Sequence, residues 1–147
     1  MRGAGVETIV YVDLACPACA AEWLRIRELP ISLCLRHFSI ASRHPRAPAL
    51  HAAAEAAGAQ RKGAFWDMVD SIYADQGHVD DPHLWQRARA LGLDLERFEA
   101  NRRSDRIVTR VETDFRSGIR AGVTSTPAGF VDGKPVPGRL SDSLGGL

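Results

Sequence analysis

A strand, a turn, a helix and a second strand follow one another without a break between Thr8 and Phe38, and this order restricts the chain to few architectures. Thr8-Ile-Val-Tyr-Val12 is β-branched and aromatic, the composition of a buried strand. The chain then turns through Leu14-Ala-Cys-Pro17. Pro17 suits the first turn of a helix, where its missing N–H leaves no bond unmade. The spacing predicts a helix from Pro17 to about Leu29 with Cys19, Trp23 and Ile26 on one face, ended by Pro30. Ile31-Ser-Leu-Cys-Leu-Arg-His-Phe38 alternates as a second strand. Two strands joined by a helical crossover run parallel.

From Pro45 the period becomes helical. Residues 47–57 are Ala-rich and are expected to stop at Gly58. Residues 62–75 place Phe65, Val69, Ile72 and Tyr73 on one stripe. Asp81-Pro82 reads as an N-cap followed by proline, opening a helix that stops at Gly92. Asp94 starts a short helix. Ile107, Val111, Phe115 and Ile119 then recur every four residues as an amphipathic stripe. After Gly122 strand character returns, with Asp132-Gly133 as a hairpin turn. Leu140, Leu144 and Leu147 are expected to form no more than a short final helix. The reading is one α/β domain over 1–147. Residues 1–40 and 122–147 form its strand-containing part, and 45–121 are a helical insertion.

Composition excludes several classes. With 45% hydrophobic and 25% charged residues the chain is neither disordered nor fibrous. Nineteen basic residues against eighteen acidic provide no field for nucleic acid or an anionic membrane, so neither is expected as a partner. No uncharged apolar run approaches the ~18 residues of a membrane span. The N-terminal apolar run Ile9–Val12 is far shorter than the ~7–15 residues of a secretory core. The sequence as it stands therefore points to the cytoplasm, with a periplasmic or other extracytoplasmic site for a longer precursor.

Three cysteines are too few for a disulfide scaffold, and a pair spaced Cys16-Pro-Ala-Cys19 points to chemistry. A thiolate at the first turn of a helix meets unpaired N–H groups and the positive end of the helix dipole, which lowers its pKa. Cys16 at the helix start is the nucleophile by this reading. Cys19, one turn further in, resolves a mixed disulfide.

A second segment, Gly122-Val-Thr-Ser-Thr-Pro-Ala-Gly-Phe-Val-Asp-Gly133, joins with other pieces to give a resemblance. These pieces are Asp13-Leu-Ala-Cys-Pro-Ala-Cys19, Arg36-His-Phe38, His44-Pro45, Ala54-Glu-Ala-Ala-Gly58, Phe65-Trp66 and Leu91-Gly-Leu-Asp94. Over roughly Thr8 to Gly138 the chain resembles the DsbA-like thiol:disulfide oxidoreductases of the thioredoxin superfamily, and most of all the thioredoxin-like domains attached to sodium/proton antiporters. The resemblance implies a thioredoxin-like α/β fold with the helical domain inserted between the β-α-β unit and the C-terminal hairpin. It implies a cis Thr126–Pro127 bond facing the redox pair. Thr126, Pro127, Pro17 and Ala18 would bind the backbone of a protein or peptide client that contains cysteines. It implies no cofactor beyond the Cys16–Cys19 pair, and a recycling redox partner that the sequence does not name.

Two departures stand out. Relatives carry a buried acid six residues before the nucleophile, where this chain has Val10; Asp13 lies three before it instead. The third motif position is Ala18, whose side chain offers the thiolate nothing. That predicts a couple nearer ~−200 to −270 mV than the ~−120 mV of DsbA.

Other readings compete. Cys16, Cys19, Cys34 and His37 are spaced much like a Cys3His zinc site, although Cys34 and His37 point to opposite faces of a strand. A glutathione-dependent transferase or isomerase on a related fold is a second alternative, and a redox sensor without turnover a third. Cys34 by itself reads as a small hydrophobe. Trp23, Trp66 and Trp85 read as core. His37 and His44 read as structural, and His51, His78 and His83 as surface or capping residues.

Overall fold

A computed structural model describes residues 3 and 5–146 of the chain; Leu147 lies outside them. In chain order the elements are β1 (Val6–Val12), α1 (Pro17–Ile26), β2 (Ile31–His37), α2 (Ala47–Gln60), α3 (Lys62–Ala74), α4 (Asp81–Ala90), α5 (Leu95–Arg102), α6 (Asp105–Arg120), β3 (Ala128–Val131), β4 (Lys134–Pro135) and α7 (Leu140–Gly145). The sheet order is β2-β1-β3-β4. β1 and β2 pair in parallel from Val6 opposite Ile31 to Val12 opposite His37, as the crossover requires. β3 returns antiparallel to β1, and Asp132 and Gly133 take the left-handed conformations of a tight hairpin turn. This is the thioredoxin-like α/β fold expected from the sequence, with five helices between β2 and β3.

The strand period divides the core. Val10 and Val12 face the larger cluster with Cys19, Trp23, Ile26, Leu50, Met68 and Ile72. Tyr11 faces a smaller one with Phe38, Val123 and Phe115 beneath α6. Burying a large apolar side chain of this kind contributes ~1.5–3 kcal/mol. The face of α1 is the expected one, since Cys19, Trp23 and Ile26 are its buried residues. The helix ends earlier than Leu29. Glu28 and Leu29 bond back to Arg25 and Ile26, a tighter turn that suits a chain about to meet Pro30.

Three local expectations are corrected. Helix α2 runs through Gly58 to Gln60. A Cβ at Gly58 would lie 3.0 Å from that of Phe65, so the glycine lets α2 and α3 approach closely. The cap of α4 is Asp80, which accepts from the His83 N–H, and Pro82 follows within the first turn. In α6 the stripe does not stay buried. A four-residue repeat on a 3.6-residue helix rotates by ~40° each time, so Ile119 emerges 55% exposed while Asp114 and Gly118 turn inward.

Gly118 carries a prediction. A Cβ there would lie 2.6 Å from Phe38 Cδ1 and 3.1 Å from Tyr11 Cδ1. In an exposed helix Gly→Ala gains ~1 kcal/mol. Here Gly118→Ala should instead destabilise by ~1–3 kcal/mol, because two rings must shift. Urea unfolding is the check, and a gain in stability would count against this packing.

Candidate functional site

Cys16 caps α1 in an extended conformation, and Pro17, Ala18 and Cys19 form its first turn. Cys16 is half-buried, Pro17 and Ala18 are exposed, and Cys19 is buried. Neither cysteine is disulfide-bonded. The Thr126–Pro127 bond is cis, as the resemblance implies, and the loop brings the Thr126 hydroxyl to both sulfurs. All six residues expected at the site thus come together. A shallow cleft beside them is lined by Ala18, Ala21, Glu22, Arg25, Pro127 and Arg139.

The two thiols are driven apart electrostatically. The Cys19 thiol donates to Cys16 and lowers its pKa. Burial opposes this, but the Cys19 N–H, the Thr126 hydroxyl and the Ala18 N–H add to it, and Cys16 falls to about 5. Ala18 therefore does help the thiolate, through its backbone. Cys19 is pushed far upward by its hydrogen bond to Cys16 and by burial, and stays a thiol. An ordinary cysteine ionises near ~8.5. The thiolate thus stabilises the reduced protein in full above ~8.5, and that stabilisation is lost as pH falls toward about 5. Alkylation of the reduced protein by iodoacetamide, followed by mass spectrometry, should modify Cys16 with a midpoint near 5 and leave Cys19 intact. A midpoint above ~8 would remove the electrostatic basis of the site.

The turn that carries Cys16 is held on every side. Asp13 O accepts from the Cys16 N–H at 3.0 Å and from Tyr73 Oη at 3.3 Å. The Leu14 N–H donates to His51 Nε2 at 3.0 Å. The Gln76 side-chain amide donates to the carbonyls of Leu14 and Cys16, at 2.9 and 3.1 Å. Asp13 is fully buried, and its two carboxylate oxygens accept from the N–H groups of Ala15 (2.9 Å) and Ile40 (3.1 Å). Burial opposes its ionisation, yet those two amide hydrogen bonds help to hold its carboxyl below the ordinary range. Tyr73 is pushed well up, by burial first and then by the negative charge around the redox pair. Each such bond is worth ~1 kcal/mol net, and together they fix the nucleophile's backbone before any client arrives.

His51, Tyr73 and Gln76 were not singled out for the site by sequence reasoning. His51 is fully buried, a correction to the surface role expected for it. Its one sequence signal is Glu55 four residues on, which places both on one face of α2. His78 and His83 do sit at the surface, paired with Asp75 and the capping Asp80. Trp23 is buried in the core and stacks on Trp66 at 5.9 Å.

The zinc spacing does not close. Cys34 alternates to the sheet face opposite His37, and both ring nitrogens of His37 are engaged, with His51 and Glu55. Among the described residues no group of three or more His, Cys, Asp or Glu is arranged to hold a metal. No helix among them is long and apolar enough to cross a membrane.

Comparison with known proteins gives the same picture. The chain is 36% identical over 138 residues to Na(+)/H(+) antiporter NhaA 1 of Salinispora arenicola, covering 90% of this chain and 21% of that protein. It is 34% identical over 141 residues to Na(+)/H(+) antiporter NhaA of Herminiimonas arsenicoxydans, covering 92% and 22%. The chain thus spans about a fifth of the length of the curated relatives it matches. Among solved structures, the thiol-disulfide exchange protein alpha-DsbA2 of Wolbachia pipientis superposes with a TM-score of 0.82 at 18% identity, over 92% of this chain and 75% of that one. MdbA, a thiol-disulfide oxidoreductase from Corynebacterium diphtheriae, gives 0.78 at 20% identity, over 97% and 83%. At these identities the likeness is one of fold. The family model of the DSBA-like thioredoxin domain matches residues 7–143, nearly the whole chain, and the chain belongs to that family.

Proposed function

We propose that the chain is a protein thiol–disulfide oxidoreductase whose redox group is the Cys16–Cys19 pair. The observation that carries the reading is the asymmetry of the two thiols: a half-exposed sulfur ionised at neutral pH beside a buried one that keeps its proton. In the reducing direction the Cys16 thiolate attacks a client disulfide and releases one client sulfur as a thiolate. Cys19 loses its proton and attacks Cys16 Sγ. The Cys16–Cys19 disulfide forms, and the second client thiolate leaves. In the oxidising direction the same steps run backward, and the client keeps the disulfide. Two electrons move in either case, and no organic cofactor takes part. Thr126 and Pro127 offer the client backbone an edge of the kind that pairs with an added strand, and Pro17 and Ala18, exposed in the first turn of α1, flank it.

Catalysed reduction of insulin by dithiothreitol tests the reading, with bound zinc and free thiols measured on the same preparation. The expected result is faster insulin precipitation, two thiols gained on reduction of the oxidised protein, and no zinc. Glutathione conjugation without insulin reduction would favour a transferase. Stoichiometric zinc released by thiol reagents would favour the metal module. Reversible oxidation with no turnover would favour a sensor.

A further inference from the structure

A buried hydrogen-bond chain runs from the redox turn to a partly exposed carboxylate on α2, and its direction follows from a single donor. The Leu14 N–H can only donate, so His51 Nε2, 3.0 Å away, accepts and carries no proton. The proton of His51 then sits on Nδ1, which lies 2.7 Å from His37 Nδ1. His37 Nδ1 must accept, so the His37 proton sits on Nε2, 2.7 Å from Glu55 Oε1. Every link has one donor and one acceptor, and the chain ends on a carboxylate. Both imidazoles are almost fully buried, whereas the Glu55 side chain is 27% exposed. Glu55 lines a cleft with Cys34, Lys62, Phe65, Trp66 and Arg110, and this cleft shares no residue with the one beside Pro127.

We infer that Glu55, His37 and His51 are positioning residues for the redox pair: the Glu55 carboxylate orients the two rings, and the His51 lone pair anchors the Leu14 amide two residues before Cys16. Asp13 does not substitute as the anchor. Its carboxylate already accepts from Ala15 and Ile40, and it lies 3.7 Å from His51 Nε2, too far for a hydrogen bond. Burial keeps the His51 ring neutral at pH 7, as an acceptor must be. With the anchor in place, the N–H groups of Ala18 and Cys19 stay aimed at the Cys16 sulfur. Without it the turn relaxes and the thiolate loses alignment with its donors. This role rests on the redox reading above, but its tests do not depend on turnover.

Nitrogen-15 spectra of the imidazoles in the intact reduced protein should show His51 protonated on Nδ1 and His37 on Nε2 at pH 7. A proton on His51 Nε2 would overturn the inference outright, whether or not the protein exchanges disulfides. The second measurement is the alkylation midpoint of Cys16 in variants confirmed as folded by cooperative unfolding. His51→Phe should raise it by about one pH unit, roughly a fivefold loss of thiolate at pH 5, the worth of one buried hydrogen bond. Glu55→Leu should move it in the same direction by a smaller step. Glu55→Gln should restore it, since the side-chain carbonyl of glutamine accepts the His37 proton equally well. A folded His51→Phe protein with an unmoved midpoint, or a Glu55→Gln protein no better than Glu55→Leu, would reduce the cluster to a core filler.

Discussion

Cys16→Ser should lower the rate of disulfide exchange by about a thousandfold or more, because a serine hydroxyl at neutral pH lacks the thiolate that forms the covalent intermediate. Cys19→Ser should behave differently. The Cys16 thiolate survives, attacks a client disulfide and then has no partner to release it, so a mixed disulfide accumulates. The two variants thus separate attack from resolution. Incubating each with an oxidised model peptide and running non-reducing gels or intact-mass spectrometry distinguishes them. A peptide-sized adduct on Cys19→Ser and none on Cys16→Ser is expected. Cys19→Ala, which has no side-chain donor, should also raise the Cys16 pKa, since the Cys19 hydrogen bond is the largest stabilising contribution to the thiolate. Adducts on Cys19 in the Cys16→Ser protein would invert the assigned roles.

What could be read from the sequence was local, and what could not was the assembly of groups distant in the chain. Strand β1, the proline-opened helix α1 and the alternation of β2 follow from nearest-neighbour chemistry, and so does the cysteine at the helix start. The cis Thr126–Pro127 loop was reached only through resemblance, since no local rule brings position 126 to position 16. His51 was misplaced for a related reason. In an alanine-rich helix a lone histidine resembles a surface residue, and its partners Leu14 and His37 lie 37 and 14 residues away. Likewise the missing acid at Val10 is legible, while the buried polar surroundings of the pair arise from Asp13 and, about 60 residues away at the end of α3, Tyr73 and Gln76. The outward roll of Ile119 was computable from the helical period but hidden by an apparently regular repeat.

Burial of His51 has a large expected effect on stability. Removal from water pushes its pKa down to about 4, although Asp13 pulls the other way. In the unfolded chain a histidine ionises near ~6.5. Between those values the unfolded state binds a proton that the native state refuses, so acidification favours unfolding. The expected loss is ~1.4 kcal/mol per pH unit, about 3 kcal/mol across the window. Above ~6.5 His51 adds no pH dependence. Asp13 and Glu55, both held below their ordinary values, act with the same sign lower down, as pH falls through their native pKa values. For a domain with a typical reserve of ~5–15 kcal/mol this is a substantial fraction. Urea midpoints at pH 7 and pH 4.5 are the check. His51→Gln should remove most of the difference between them. A stability that holds level down to pH 4.5 in the unmodified protein would mean that the ring is protonated in place.

The central claim is that Cys16 and Cys19 form one two-electron couple tuned by the stabilised thiolate. Thioredoxin, with a nucleophile pKa of ~7, has a potential of ~−270 mV, and DsbA, at ~3.5, has ~−120 mV. A nucleophile near 5 falls between them at roughly −190 mV, slightly more oxidising than the ~−200 to −270 mV expected from Ala18 alone. Equilibration with glutathione buffers, acid quenching and mass spectrometry of the alkylated thiols measures this directly. The expected result is a single two-electron transition centred near ~−190 mV that disappears in Cys16→Ser. A midpoint above ~−150 mV, or no concerted oxidation of Cys16 with Cys19, would contradict it.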